Sequence, residues 1–192
     1  MLDGATLCWC HCLISFSRAT KHGAEALSKK LLKLLENKDS QLYRNNVVKF
    51  GIPEEYVRRA FAKETLLEAF DSGESAFYLA LENRCRILGF AQTVKHGGDA
   101  VELDRIVIFP EYAGKGLGTQ LLAKVLEDQK RKGAKSVVVN AGKEERLARR
   151  FYEKNGFEFV EEKTVKAPWG DLTLAAYKLR IEPLKTAKKK SG

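Results

Sequence analysis

Long apolar runs are missing from this chain. No stretch approaches the roughly 20 residues that cross a membrane, so a membrane span is excluded from the reading. Cysteine is sparse: four in 192 residues do not make a disulfide framework. No C-x-x-C pair is present, and Cys8, Cys10 and Cys12 alternate with Trp9 and His11, a spacing that zinc sites do not use. The expectation is no metal and a reducing, cytoplasmic setting. No basic segment precedes the apolar residues near the start, so a secretory signal is not expected either. Acidic excess is also lacking. The net charge is +9, of which Lys185, Lys188, Lys189 and Lys190 supply four. The mild basic bias that remains suits an anionic ligand. The charge suits nucleic acid equally, but that reading ranks low because no basic platform with interleaved aromatics accompanies it. Hydrophobic residues at 44% and charged residues at 31% fit one soluble domain. We read residues 1–12 as an extension, 13–182 as the domain, and 183–192 as a basic disordered tail.

The stretch from Val101 to Thr119, VELDRIVIFPEYAGKGLGT, carries most of the information. Ile106 to Phe109 are consecutive apolar residues, as in a strand covered on both faces. Pro110 has no N–H for a ladder and ends the strand. Gly114, Gly116 and Gly118 alternate with Ala113, Lys115 and Leu117. Such a loop turns successive N–H groups inward. Leu117, Leu121, Leu122, Val125 and Leu126 then fall on one helical stripe. A glycine loop feeding a helix N-terminus favours an anion, and a diphosphate suits it. The Walker A spacing is absent, and Thr119 breaks the dinucleotide fingerprint.

Taken in order, Leu13 to Arg18 reads as a strand. Thr20 caps a helix running to about Asn37. Asp39 to Phe50 reads as polar and irregular. Pro53 opens a second helix at its first position, with Tyr56, Ala60, Phe61, Leu67 and Phe70 inward. Ala76 to Leu81 and Ile87 to Val94 form a hairpin, and His96 to Asp99 turn into the central strand. In that strand Val101 and Leu103 share one face, while Ile106 and Ile108 fall out of phase with them. A bulge near Asp104 to Ile106 resolves the conflict. The helix from Leu117 to Gly133 returns the chain to a parallel strand, Ser136 to Asn140. A further helix has Leu147, Ala148, Phe151 and Tyr152 as its apolar stripe, and Asn155-Gly156 stops it. Phe157 to Val165 and Leu172 to Ile181 form a last hairpin around Pro168-Trp169-Gly170. The fold class is α/β (α+β): a mixed, mostly antiparallel sheet of about six to seven strands, flanked by about four helices.

Two motifs resemble a known family. Gly116 and Gly118 match the glycine positions of the [RQ]-x-x-G-x-[GA] loop of the GNAT superfamily of N-acyltransferases, with Ala113 in the place of Arg or Gln. About 30 residues on, Ala148 to Phe157, ARRFYEKNGF, resembles the second signature of that family. Glu145 stands where asparagine is usual. The resemblance covers roughly Leu13 to Ile181. It implies central strands splayed around a cofactor, acetyl-CoA as co-substrate, and a primary amine of a small molecule or a protein as acceptor. It also implies direct attack in a ternary complex, and pairing into a homodimer through exposed strands is a further expectation from it.

On this reading the backbones of Ile106, Val107 and Ile108 bind the pantetheine arm. The N–H groups of Ala113, Gly114, Lys115, Gly116, Leu117, Gly118 and Thr119 hold the diphosphate. Asn140 is placed to bond the pantetheine, and Lys154 to reach a phosphate. Tyr152 occupies the family position of a general acid, and a phenol with a pKa near 10 is protonated at neutral pH. Glu102 is the first candidate base and Asp104 the second. Two other readings compete: a module that senses acyl-CoA without turnover, and a basic nucleic-acid-binding protein.

Overall fold

The structure is a computed structural model that describes residues 13–183. The cysteine-rich segment 1–12 and the lysine-rich segment 184–192 lie outside the described residues. One seven-stranded sheet runs in the order β1-β2-β3-β4-β5-β7-β6. Its strands are β1 (Ile14–Arg18), β2 (Ser75–Glu82), β3 (Arg86–Lys95), β4 (Ala100–Ile108), β5 (Ser136–Gly142), β6 (Glu158–Ala167) and β7 (Gly170–Arg180). Only β4 and β5 pair in parallel; every other neighbouring pair is antiparallel.

The helices are α1 (Lys21–Glu36), α2 (Gln41–Tyr43), α3 (Glu54–Phe61), α4 (Lys63–Asp71), α5 (Leu117–Arg131) and α6 (Arg146–Lys154). On one face of the sheet α5 buries Leu121, Leu122 and Val125 against Tyr78, Ala91, Leu103, Val137 and Val139. Each such side chain contributes about 2 kcal/mol by leaving water. On the other face α1, α3 and α4 bury Leu27, Leu31, Val57, Phe61 and Leu66 against Phe77, Leu79, Phe90 and Phe109. No described helix is long and apolar enough to cross a membrane.

Local signals account for most boundaries. Thr20 caps α1 by accepting from the N–H of Gly23 at 3.2 Å. Asn83 and Arg84 both have positive φ, giving the mirror-image turn that matches the twist of a hairpin. The bulge falls at Asp104: Gln92 faces Arg105 and Thr93 faces Leu103, leaving Asp104 without an opposite residue. That extra residue puts Leu103 and Ile106 on the same face, where both pack against the α5 side.

The structure corrects three local expectations. The segment expected to be irregular is helical: α2 is followed by a π-helical turn, Arg44–Lys49. None of its residues is fully buried and the π-helical turn does not follow the 3.6-residue period, so no apolar stripe reported it. The helix after Pro53 is two helices, broken at Ala62, whose ψ of 148° is not helical. Pro53 precedes the first of them as its N-cap, and Tyr56 is exposed while Val57 is buried. In α6, Leu147 is 82% exposed and Tyr152 is the buried residue. The short helix lies across a cavity, so its apolar first turn has no sheet beneath it.

Candidate active site

The site begins where β4 and β5 part. They pair only from Ala100 to Glu102 on β4 and Ser136 to Val138 on β5. Beyond that rung the β5 side of β4 has no strand partner among the described residues, and the backbone groups of Ile106 to Ile108 border a gap. The gap opens into a cavity of about 790 Å³. Asp104, Ile106, Val107 and Ile108 form one wall, and Asn140, Ala141 and Tyr152 the other. The C-terminal part of α1, the π-helical turn and the first residues of α6 close it around the rim. Ile108 also lines a smaller cavity of about 240 Å³ with Ala113, Gly114, Gly116, Leu117, Gly118, Thr119 and Phe151. The two spaces therefore share a wall.

The glycine loop has the required shape. Gly114 and Gly116 have φ of +79° and +72°, and open space lies before each. Gly116 is the N-cap of α5, so the N–H groups of Leu117, Gly118 and Thr119 belong to its unpaired first turn. This is a cradle for an anion at a helix N-terminus.

The acidic candidates separate. Glu102 accepts from the Asn140 side-chain amide at 2.8 Å, and its other oxygen lies 3.3 Å from His96 Nδ1. It lines neither cavity. Asp104 sits at the bulge on the wall of the larger cavity, 3.0 Å from Arg105 Nε. Burial pushes its carboxyl above the usual range; the Arg105 guanidinium opposes this and the Glu102 charge adds to it. The Tyr152 hydroxyl is pushed well up by burial, reinforced by the charges of Glu145 and Asp104. Its ring packs edge-on against Phe151 and Phe157, each with centroids 5.5 Å away.

Lys115 and Lys154 line neither cavity. Lys154 lies in the last turn of α6, whereas the first turn of that helix faces the larger cavity. Four features of the site were not singled out from the sequence. Lys49 and Phe50 form part of the rim. Gly89 lets β4 approach: a Cβ there would meet the Val107 carbonyl oxygen at 2.4 Å. Gly142 admits the Phe50 ring, at 2.8 Å from the same hypothetical atom. Phe151 packs on Gly118 and joins α6 to the loop. Strand glycines in close packing carry a signal, but one that names no partner.

The comparisons agree with this geometry. Residues 73–159 match the family model described as the acetyltransferase (GNAT) domain. An uncharacterised N-acetyltransferase of Mycobacterium tuberculosis is 32% identical over 81 residues, 42% of this chain and 52% of that protein. A [ribosomal protein bS18]-alanine N-acetyltransferase of Haemophilus influenzae is 38% identical over 93 residues, 47% of this chain and 61% of that protein. The chain thus spans about half the length of the mycobacterial relative it matches. Among solved structures, the PaiA N-acetyltransferase of Thermoplasma acidophilum, in complex with coenzyme A, superposes with a TM-score of 0.64 at 21% identity, covering 88% of this chain and 99% of that one. Residues 73–159 of this chain thus resemble the GNAT acetyltransferase domain in sequence, and the fold is shared with the Thermoplasma structure.

Proposed function

We propose that this chain transfers an acetyl group from acetyl-CoA to a primary amine, by direct attack in a ternary complex. The observation that carries the reading is the parting of β4 from β5 after Glu102, which opens a cavity continuous in its lining with the glycine loop. The residues present fit the co-substrate. The unpaired edge of β4 from Ile106 to Ile108 suits an extended amide-bearing arm, and the first turn of α5 suits a diphosphate. Acetyl-CoA would supply the activated thioester; the chain supplies position and proton management. A main-chain N–H at the β4 edge polarises the thioester carbonyl.

An amine arrives as an ammonium and must lose a proton before it attacks. Asp104 takes that role in preference to Glu102, since it lies on the cavity wall and burial makes it the better base. Glu102 instead holds Asn140, and through it the start of the gap. Tyr152 gives a proton to the departing thiolate; a phenol buried beside two carboxylates keeps its proton for that step. The acceptor is a small-molecule or a protein amine. The Haemophilus relative, whose name specifies a ribosomal protein alanine, supports including protein N-termini in a screen. Pairing of two chains along the β6 edge, where Phe159 and Val160 are exposed, belongs to the same reading.

The test is the melting temperature with acetyl-CoA, CoA, NAD and ATP, followed by an acceptor screen. Ligand at 100 times its Kd adds about 2.7 kcal/mol, a rise of roughly 5–10 °C for a domain of this size. A rise with both CoA species and none with NAD supports the reading; no rise with either overturns it. A chain that is stabilised by acetyl-CoA yet acetylates no amine would be a sensor.

A further inference from the structure

Among the described residues lining the larger cavity, one carries a primary amine. Lys49 ends the π-helical turn, and its Nζ lies 3.4 Å from Glu145 Oε1. The same nitrogen stands 5.5 Å from the centre of the Phe50 ring. Phe50 in turn packs on Gly142 at the end of β5. The side chain is therefore held from two sides, by a carboxylate and by a ring that is itself seated on the strand. Glu145 is the N-cap of α6, the helix that carries Tyr152, and its charge acts on the Tyr152 hydroxyl. An alkyl ammonium, a carboxylate and the proposed proton donor thus share one cavity, whose opposite wall is Asp104 and the free edge of β4.

We infer that Lys49 is itself an acceptor, and that the chain acetylates its own Lys49 when acetyl-CoA is bound. The inference rests on the proposed acetyl transfer. The Lys49 ammonium first gives a proton to the Glu145 carboxylate, which passes it to water. The nitrogen lone pair then forms a C–N bond to the thioester carbonyl carbon, and the C–S bond breaks. The sulfur takes a proton from Tyr152, which recovers one from the nitrogen. The products are Nε-acetyl-lysine, CoA and one released proton, with no redox change. A tethered amine needs no binding step, so it reacts at an effective concentration far above that of a free amine. Acetyl-lysine carries no charge and cannot pair with Glu145. The modification therefore removes the ion pair between the π-helical turn and α6, at the rim of the cavity.

The experiment uses the full chain, freed of CoA, incubated with acetyl-CoA and followed by peptide mass mapping. Lys63 and Lys135, both exposed, report background chemical acetylation. Lys49 is expected to label at least about tenfold faster than either. The rate per chain should not change with protein concentration. Tyr152→Phe and excess CoA should each slow Lys49 and leave Lys63 and Lys135 unchanged. Lys49→Arg keeps a cation beside Glu145 and should lose the fast label. Labelling of Lys49 no faster than Lys63 and Lys135 overturns the inference, as does a rate per chain that rises with protein concentration. If acetyl-CoA raises the melting temperature and a free amine is acetylated while Lys49 stays unlabelled, only this inference falls. If acetyl-CoA does not stabilise the chain, the proposed function falls first.

Discussion

The side-chain amide of Asn140 donates to Glu102 Oε1 at 2.8 Å, just beyond the last rung on which β4 and β5 still pair. This bond ties the two strands at the point where the gap begins. Glu102, a candidate base from the sequence, here links β4 to β5. Asn140→Ala should lower stability by about 1 kcal/mol. Asn140→Asp should cost more, because it sets a second carboxylate against Glu102. Urea unfolding of both variants measures the difference, and equal costs would show that the bond carries little.

Asp104→Asn should separate stability from activity. Burial raises the folded-state pKa of Asp104 above its unfolded value. The native state then binds the proton more tightly, so this group lowers stability as pH rises through its folded pKa. Above the folded pKa the penalty is fully present, and the amide removes it. We expect a higher melting temperature at pH 7 and no gain below the ordinary aspartate value of about 3.9. We also expect turnover to drop by about 10²-fold. The acid limb of the wild-type rate profile should lie above that ordinary value and vanish in the variant. Glu102→Gln should leave the limb in place.

Tyr152→Phe should lower kcat by about 10²-fold and leave the KM for acetyl-CoA nearly unchanged. The phenol pKa is raised by burial, so no alkaline loss of rate should trace to its ionisation up to pH 10. A basic limb that disappears with the hydroxyl would contradict this assignment.

Gly89→Ala should disturb the site from a distance. Its Cβ would collide with the Val107 carbonyl and approach Ile108 Cα at 3.0 Å. One of the strands must move, at a cost of about 1–3 kcal/mol. Since Val107 and Ile108 form the proposed cofactor edge, the thermal shift with CoA should shrink in the same variant. An unchanged shift would mean that β3 absorbs the displacement.

Much of this architecture was legible because its signals are local. The phase break between Leu103 and Ile106 placed the bulge. Thr20 and the alternating Gly114, Gly116 and Gly118 located helix starts. The apolar stripe of α5 reported its own buried face. The site was legible in part. Asp104, Ile106 to Ile108, Asn140 and Tyr152 come together in one cavity, and the glycine loop lines its neighbour. Lys154 and Glu102 stand apart from both. Lys49 could not be singled out, because its partner Glu145 is 96 residues away and a lysine near a helix end has an ordinary solvated reading.

The chain by itself determined the periodic and conformational features: which segments are strands or helices, where glycine permits positive φ, and where a strand changes phase. Backbone sterics and side-chain spacing act over a few residues, so they are written in neighbouring letters. Only the tertiary structure decided which carboxylate faces the cavity, that Glu102 is held by Asn140, and that Lys49 lies against Glu145. Those outcomes depend on register and on the approach of segments distant in sequence, and burial raises the pKa of Asp104 and of Tyr152 only after the sheet and its helices have closed around them.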